Sequence, residues 1–533
     1  MISMSGKDNT RLILFLVAVF AILSLYTWKP KICFNPDELF YYKSTQSIRE
    51  VKDLYAPEYF GERRFQKPPL FYSAVLLSFK LLGTSWFSAR LVSVFSSILV
   101  LLATYMLGVR MFGREKAFYA TGSLATTVLF FRFGRIVLPE MMLIFFMTAS
   151  FYLAYTAFSL SKHGYFYASF ALMGAGTLVK GPVAFVLPGA ALAVFYLVNR
   201  RRFTLPTVPW AAGALIVFSA FLVWAVPAVL IYGRQFLDHM ATVEMDRFTE
   251  KISFGSPWRL FWHYSVKLLF YVPVLFAQYL PWSVLLPAGL VIIRKYPRGK
   301  ELSLERSFLL CWILAGFVLY TLVPAKRAHY VLSLFPALSL YLVSFFDFGA
   351  AIVRKAFRRL LVAALAVYFL TVVMVFPMIF IDGVDRLSME LEKQLKKRRA
   401  PVAVSWRLDP QEVELYIDER VIVLWEVNLG RTAKALDPRL EQALSSGGGS
   451  GTLFYLVMAQ TEYRLYRESF ISRLEKVRGK DLSFSRLYGD SFWRKRILFG
   501  ELLRNILDDP SGAARYFNEA FREKVYLFAV KEN

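Results

Sequence analysis

Two adjacent carboxylates, Asp37 and Glu38, stand in "FNPDELFYYKS" (34–44). Further ionisable residues recur in short, widely separated segments. Lys67 lies in "RRFQKPPLFY" (63–72), and Arg132, Arg135 and Glu140 lie in "FRFGRIVLPEMM" (131–142). Lys180 lies in "LVKGPVA" (178–184), and Lys326, Arg327 and His329 lie in "PAKRAHY" (324–330). A carboxylate in hydrogen-bond reach can take the proton of an attacking hydroxyl. Cations placed where negative charge grows can stabilise a departing phosphate, and a cationic transition state at a sugar favours nearby carboxylates. Together these groups suit the transfer of a sugar from a lipid-borne phosphate, provided that the fold brings them to one place.

The elements that must do so are apolar. Of 533 residues, 56% are hydrophobic, 50 are Phe, and only 19% are charged. Apolar runs of about 20 residues recur, which a soluble chain of this size does not carry. The runs are continuous rather than alternating, so helices are expected and a barrel is not. The reading is an α-helical polytopic membrane protein with about 11 transmembrane helices. The spans are placed near 11–28, 86–109, 117–132, 141–160, 165–179, 182–198, 209–231, 276–293, 307–323, 330–350 and 359–381. The stretches 68–83 and 258–276 are assigned to the interface as amphipathic helices. Residues 11–28 are expected to be a retained signal anchor, because "YTWKPKI" (26–32) offers no small-x-small cleavage site. Both cysteines, Cys33 and Cys311, are expected to be free thiols, since two cannot form a disulfide framework.

The net charge of +25 does not point to nucleic acid. Lys and Arg crowd the short connectors 110–116, 199–202, 294–300 and 354–359, as expected of cytoplasmic loops. With the N-terminus inside, all four fall on one side. The ionisable segments then share the opposite, extracytoplasmic side, within 29–85, 132–140, around 180, 232–275, 324–329 and beyond 381. Ionisable groups at the edge of hydrocarbon are costly and mark substrate paths or sites. A transporter would place such charges nearer mid-membrane and often within repeats; no internal repeat is seen. A scaffold without activity would leave the convergence of acids and bases unexplained.

The segments "NPDE", "KPPLFY", "GRIVLPEMM", "LVKGPVAFVLP", "QYLPWSVLLP" and "KRAHYVLSLFPAL", in this order and spacing, resemble the GT-C glycosyltransferases of the protein O-mannosyltransferase and lipid A aminoarabinose transferase type. The similarity runs from about residue 10 to 350. It implies a polyprenyl-phosphate sugar as donor and the inner membrane as location, with the site on the periplasmic side. The acceptor implied is a lipid-linked glycan or a lipid A-type molecule, and protein hydroxyls stay open as the alternative. Carried over by position, the resemblance makes Asp37 the general base and Glu140 a second catalytic acid, usually Asp in relatives. It makes Lys67, Lys180, Arg135, Lys326, Arg327 and His329 substrate-binding residues. Glu38 points about 100° away from Asp37 on a helix, so it is expected to hold a neighbouring cation. An N-cap for the following helix is the plainer role for Asp37, and a snorkelling side chain the plainer one for Lys180.

One departure bears on cofactors. In the aminoarabinose branch the residue before the "KPP" lysine is typically Glu, and a His occurs in the long loop; both can serve a divalent metal. Here Gln66 occupies the first place and "VEM" (243–245) precedes "DRF", with His239 outside the second. Gln66 is a poor metal ligand and Glu244 at most a weak candidate, so a divalent metal is left open and no cofactor is assigned.

The chain is divided into a membrane-embedded domain, 1–381, and an extracytoplasmic α/β domain, 382–533. In the latter, 401–407, 420–427 and 452–460 read as strands, 462–477 as a helix, and "SSGGGSG" (445–451) as a flexible break. The aromatic and charged residues of 516–528 read as core packing.

Overall fold

The computed structural model describes residues 6–25, 27, 36–241, 269–286, 302–323, 326–375, 383–397, 400, 402–405, 422–424, 452–459, 482–493 and 522–532. The predicted helix 462–477, the basic connector 294–300, Cys33 and Glu244 lie outside these residues. The chain divides into two units. One comprises Met1–Trp28 with Phe40–Val372, the other Lys29–Leu39 with Val373–Asn533.

The first unit is helical. Its elements begin with α1 (Gly6–Ser24), α2 (Pro36–Gln46, whose first residues count with the other unit), and a short hairpin, β1 (Glu58–Tyr59) and β2 (Glu62–Arg63). There follow α3 (Leu70–Leu82), α4 (Trp86–Phe112), α5 (Arg114–Ala125), α6 (Val128–Phe133), α7 (Glu140–Leu160), α8 (Gly164–Lys180) and α9 (Val183–Asn199). Then come α10 (Trp210–Tyr232), α11 (Arg234–His239), α12 (Tyr271–Gln278), α13 (Leu304–Leu322), α14 (Phe335–Ser344) and α15 (Ala351–Leu370). Among the described residues, five helices are long and apolar enough to cross a membrane: α4, α7, α10, α13 and α15 with its next turn. Shorter apolar helices cover 10–24, 70–82, 183–199 and 328–344.

Local chemistry sets several boundaries where the periodicity alone misplaced them. The predicted span 117–132 is broken into α5 and α6 at Thr126 and Thr127. Their hydroxyls donate to the carbonyls of Gly122 (2.8 Å) and Leu124 (3.0 Å), the back-bonding that competes with helix continuation. The predicted span 330–350 opens as a 3-10 segment, Ala328–Leu334. Pro336 stands in the first turn of α14 and has no N–H with which to join an α-helical ladder back to that segment. Residues 354–359, read as a connector from their charge, lie inside α15, since Lys and Arg are good helix formers. The start of α4 follows its sequence closely. Ser85 Oγ accepts from Ser88 N–H at 3.1 Å, and the Ser88 hydroxyl accepts from Ser85 N–H in return, a reciprocal cap.

Small residues let the central helices approach. A Cβ on Gly174 of α8 would lie 2.8 Å from Ala220 Cβ of α10. One on Gly176 would lie 2.9 Å from Ala184 Cβ of α9 and 3.3 Å from Phe146 Cβ of α7. Such close approach is what small residues provide between helices in lipid. Cys311 on α13 is a buried free thiol.

The second unit carries a helix, α16 (Gly383–Lys397), and five strands: β3 (Val402–Ser405), β4 (Ile422–Leu424), β5 (Thr452–Ala459), β6 (Leu482–Trp493) and β7 (Arg522–Glu532). The sheet order is β4-β3-β5-β7-β6. β3 is parallel to β4 and β5, while β7 is antiparallel to β5 and β6. Leu387, Leu391 and Leu395, spaced by four along α16, pack with Val402 and Val404, Tyr455 and Val457, and Leu527 and Ala529, spaced by two along the strands. The 4-residue and 2-residue periods bring one helix stripe against one sheet face.

Gly176→Val should lower stability by about 1–3 kcal/mol, the usual cost of overpacking, because Ala184 and Phe146 leave no room for a branched side chain. Chemical unfolding in detergent micelles measures this; an unchanged midpoint would mean that α8 does not sit this close to α7 and α9.

Candidate active site

Three elements of the first unit meet at one carboxylate. Glu140 opens α7 directly after Pro139, and Lys180 closes α8 directly before Gly181. An acidic side chain at a helix start and a basic one at a helix end are each favoured by the local backbone dipoles. Gly181 takes φ of 79°, which ends α8 tightly and lets its N–H donate to Thr177 O at 2.8 Å. The Lys180 ammonium donates to Glu140 Oε1 at 2.6 Å, and His329 Nε2 lies 3.3 Å from the same oxygen. The three side chains are 9%, 16% and 16% exposed, so this is a largely desolvated cluster and not a surface pair. Glu140 Oε2 is buried and makes no hydrogen bond among the described residues. A buried carboxylate oxygen without a donor is costly.

The cluster is held by packing. The His329 ring lies 5.1 Å from Phe133, and the Lys180 ammonium stands 5.8 Å above the Tyr330 ring. The 3-10 segment that carries His329 is pinned to α13 by the contact of Tyr320 OH with Ser333 Oγ at 2.7 Å. Tyr271 OH bridges the backbone of Arg327, donating to its carbonyl and accepting from its N–H, both at 3.3 Å.

The other predicted site residues have different settings. Lys326 turns back to the end of α13, donating to Tyr320 O at 3.1 Å and to Thr321 O; it also serves as a helix cap. Arg135 is wholly buried, donates to Leu25 O, and stacks 5.1 Å over Phe131. Arg327 is exposed and Lys67 half-buried. Asp37 and Glu38 belong to the second unit; Lys67, Arg135, Glu140, Lys180, Lys326, Arg327 and His329 belong to the first. Asp37 is half-buried and Glu38 buried, both in the first turn of α2. The helix starts at Pro36, so Asp37 lies within the first turn and is not the residue that precedes it.

Sequence reasoning missed Arg90. It is wholly buried in α4, lies 4.9 Å over Trp86, and donates to Thr27 O at 2.9 Å. An arginine inside an apolar helix is rare enough at membrane depth to have drawn attention. It also missed the rings of Phe133, Tyr271 and Tyr330, which no local pattern separates from core. Among the described residues, no three His, Cys, Asp or Glu side chains gather as a metal ion would require. Gln66 Oε1 accepts from Arg64 Nη2 at 3.0 Å.

Comparison with known proteins gives this arrangement a context. Residues 66–224 match the family model described as dolichyl-phosphate-mannose-protein mannosyltransferase. An uncharacterised protein of Aquifex aeolicus is 28% identical over 343 residues, covering 62% of this chain and 64% of that protein. The undecaprenyl phosphate-alpha-4-amino-4-deoxy-L-arabinose arabinosyl transferase of Pectobacterium atrosepticum is 25% identical, covering 65% and 61%. The chain therefore spans about three-fifths of the length of these curated relatives. Among solved structures, ArnT from Cupriavidus metallidurans bound to undecaprenyl phosphate superposes with a TM-score of 0.64 at 17% identity, covering 97% and 98% of the two chains. The oligosaccharyltransferase AglB from Archaeoglobus fulgidus superposes with 0.52 at 12% identity, covering 98% and 89%. The fold defines a class, the polytopic membrane proteins of GT-C architecture. Residues 66–224 are thus similar to a protein mannosyltransferase family model, the matched relatives include aminoarabinose transferases, and the fold is like that of ArnT and AglB.

Lys180→Met should destabilise the protein by about 3–5 kcal/mol, the cost of leaving a buried carboxylate unpaired. Adding Glu140→Gln should recover part of that loss in chemical unfolding in micelles. A loss below about 1 kcal/mol, typical of a surface pair, would mean that water reaches the cluster.

Proposed function

We propose that the chain is a glycosyltransferase that moves a sugar from a polyprenyl-phosphate donor to an acceptor hydroxyl at the extracytoplasmic face of the inner membrane. The observation that carries this reading is Glu140, buried, with one oxygen held by Lys180 and His329 and the other without a donor among the described residues, within a GT-C fold. In the reaction the acceptor oxygen bonds to the anomeric carbon as the bond from that carbon to the phosphate oxygen breaks. The hydroxyl proton passes to Asp37, and polyprenyl phosphate leaves with the bonding pair. Attack opposite the phosphate inverts the anomeric centre.

Glu140 Oε2 accepts a hydroxyl of sugar or acceptor, which Lys180 and His329 orient by fixing the other oxygen. Lys67 and Arg327 meet the phosphate's negative charge. A lipid-linked glycan or lipid A-type acceptor is favoured by the aminoarabinose transferases among the relatives. Transfer to protein hydroxyls is the second reading, supported by the family model matched over residues 66–224. About 11 spans and an extracytoplasmic α/β domain in 382–533 complete the arrangement; membrane lipids surround it, and nucleic acid has no part.

Asp37→Asn should abolish sugar transfer from a polyprenyl-phosphate sugar, by about 10²-fold or more, with the protein still folded. Transfer to lipid and to peptide acceptors, followed by mass spectrometry, checks this and separates the two readings. Undiminished turnover in the variant would remove Asp37 as the base.

A further inference from the structure

Arg64 is a cation that the fold holds firmly without an anionic partner among the described residues. Its backbone N–H donates to Pro57 O at 2.9 Å, immediately after the β1–β2 hairpin. The hairpin's two-residue turn, Phe60-Gly61, has φ of 49° and 83°, the left-handed pair that a tight hairpin needs. The guanidinium carbon lies 4.2 Å over the Phe40 ring and 5.8 Å over the Tyr59 ring. Nη2 donates to Gln66 Oε1 at 3.0 Å. Nε is buried and makes no hydrogen bond among the described residues. Of the hairpin's two carboxylates, Glu58 and Glu62, the first pairs with Arg63 at 3.4 Å. Among the described residues Arg64 makes no ion pair.

A shielded guanidinium with an unmet N–H is costly unless an anion completes it. Its planar fork matches phosphate oxygens, which accept two N–H groups at once. Gln66 fixes the orientation of the fork and, being neutral, leaves its charge available. Phe40 lowers the local dielectric and strengthens the attraction. Lys67 follows in the chain, so the loop offers two cations within four residues of sequence.

We propose that Arg64, oriented by Gln66, forms a phosphate subsite for the polyprenyl-phosphate donor; this rests on the donor class given under Proposed function. Arg64 is a binding residue that the sequence did not single out. Gln66, which departs from the aminoarabinose branch, is its positioning partner.

The test uses the full chain in detergent, with undecaprenyl phosphate as probe and inorganic phosphate as competitor. Binding is read by native mass spectrometry. Arg64→Met keeps an apolar stem against Phe40 and should weaken binding about tenfold or more, as loss of a charge-assisted hydrogen bond does. Arg64→Lys should fall between. Gln66→Glu should weaken binding as well, because the new carboxylate claims the guanidinium; it also carries the test if Arg64→Met does not fold. Competition by inorganic phosphate that depends on Arg64 would show that the headgroup alone is recognised. Dependence on Arg64 for the lipid without such competition would show that the lipid-borne phosphate is the ligand. Undiminished binding in both Arg64→Met and Gln66→Glu overturns the inference. Wild-type protein that binds no polyprenyl phosphate overturns it together with the donor class. Wild-type protein that binds the lipid through Arg64 yet transfers no sugar sinks the proposed function and leaves the subsite standing.

Discussion

Burying a carboxylate in a helical membrane protein requires that other elements come to it. At Glu140 the cost of desolvation is offset by Lys180, by His329 and by the start of α7 itself. None of these is close in sequence: Lys180 ends the next helix, and His329 lies almost two hundred positions on. The ends of α7 and α8 and the 3-10 segment at 328–334 must therefore be brought within a few ångströms. Gly174 and Gly176 make this approach sterically feasible for α8, and the contacts of Tyr320 and Tyr271 fix the 3-10 segment against its neighbours.

Four buried or half-buried cations of the first unit fall into two kinds. Arg90, Arg135 and Lys326 each donate to main-chain carbonyls near a helix end, Thr27, Leu25 and Tyr320 respectively. There they meet main-chain oxygens at or just past a helix end, a structural service performed by residues whose type alone suggests ligand binding. Lys180 is bound to a carboxylate. Arg64 differs from both kinds in resting on aromatic rings and a neutral amide. In the other four residues charge serves the fold, by meeting main-chain oxygens or a carboxylate.

Much of the helical architecture was legible in the chain. Long apolar runs predicted α4, α7, α10 and α13, since a continuous apolar surface near 20 residues long has few uses outside a bilayer. The breaks were harder. Thr126 and Thr127 end α5 through hydroxyl back-bonding, which competes evenly with helix continuation until tertiary contacts such as the Trp282 Nε1 bond to Thr126 Oγ1 decide it. Pro336 signalled a boundary but not the 3-10 geometry before it. Strands at 402–405, 422–424 and 452–459 follow the alternating apolar patterns, whereas β6, with Ser and Arg among its aromatics, carried no clear alternation.

The amino-acid sequence by itself determined which segments are apolar helices and which residue types, Glu140, Lys180 and His329 among them, were present for acid, base and phosphate chemistry. Both follow from local composition, because periodicity and side-chain type are properties of neighbours along the chain. Only the tertiary structure decided which ionisable groups meet. It joined Glu140 to Lys180 and His329, turned Arg135 and Lys326 to backbone carbonyls, and set Arg64 beside Gln66. Those outcomes depend on distances between remote segments and on which polar atom reaches an acceptor first once water is removed.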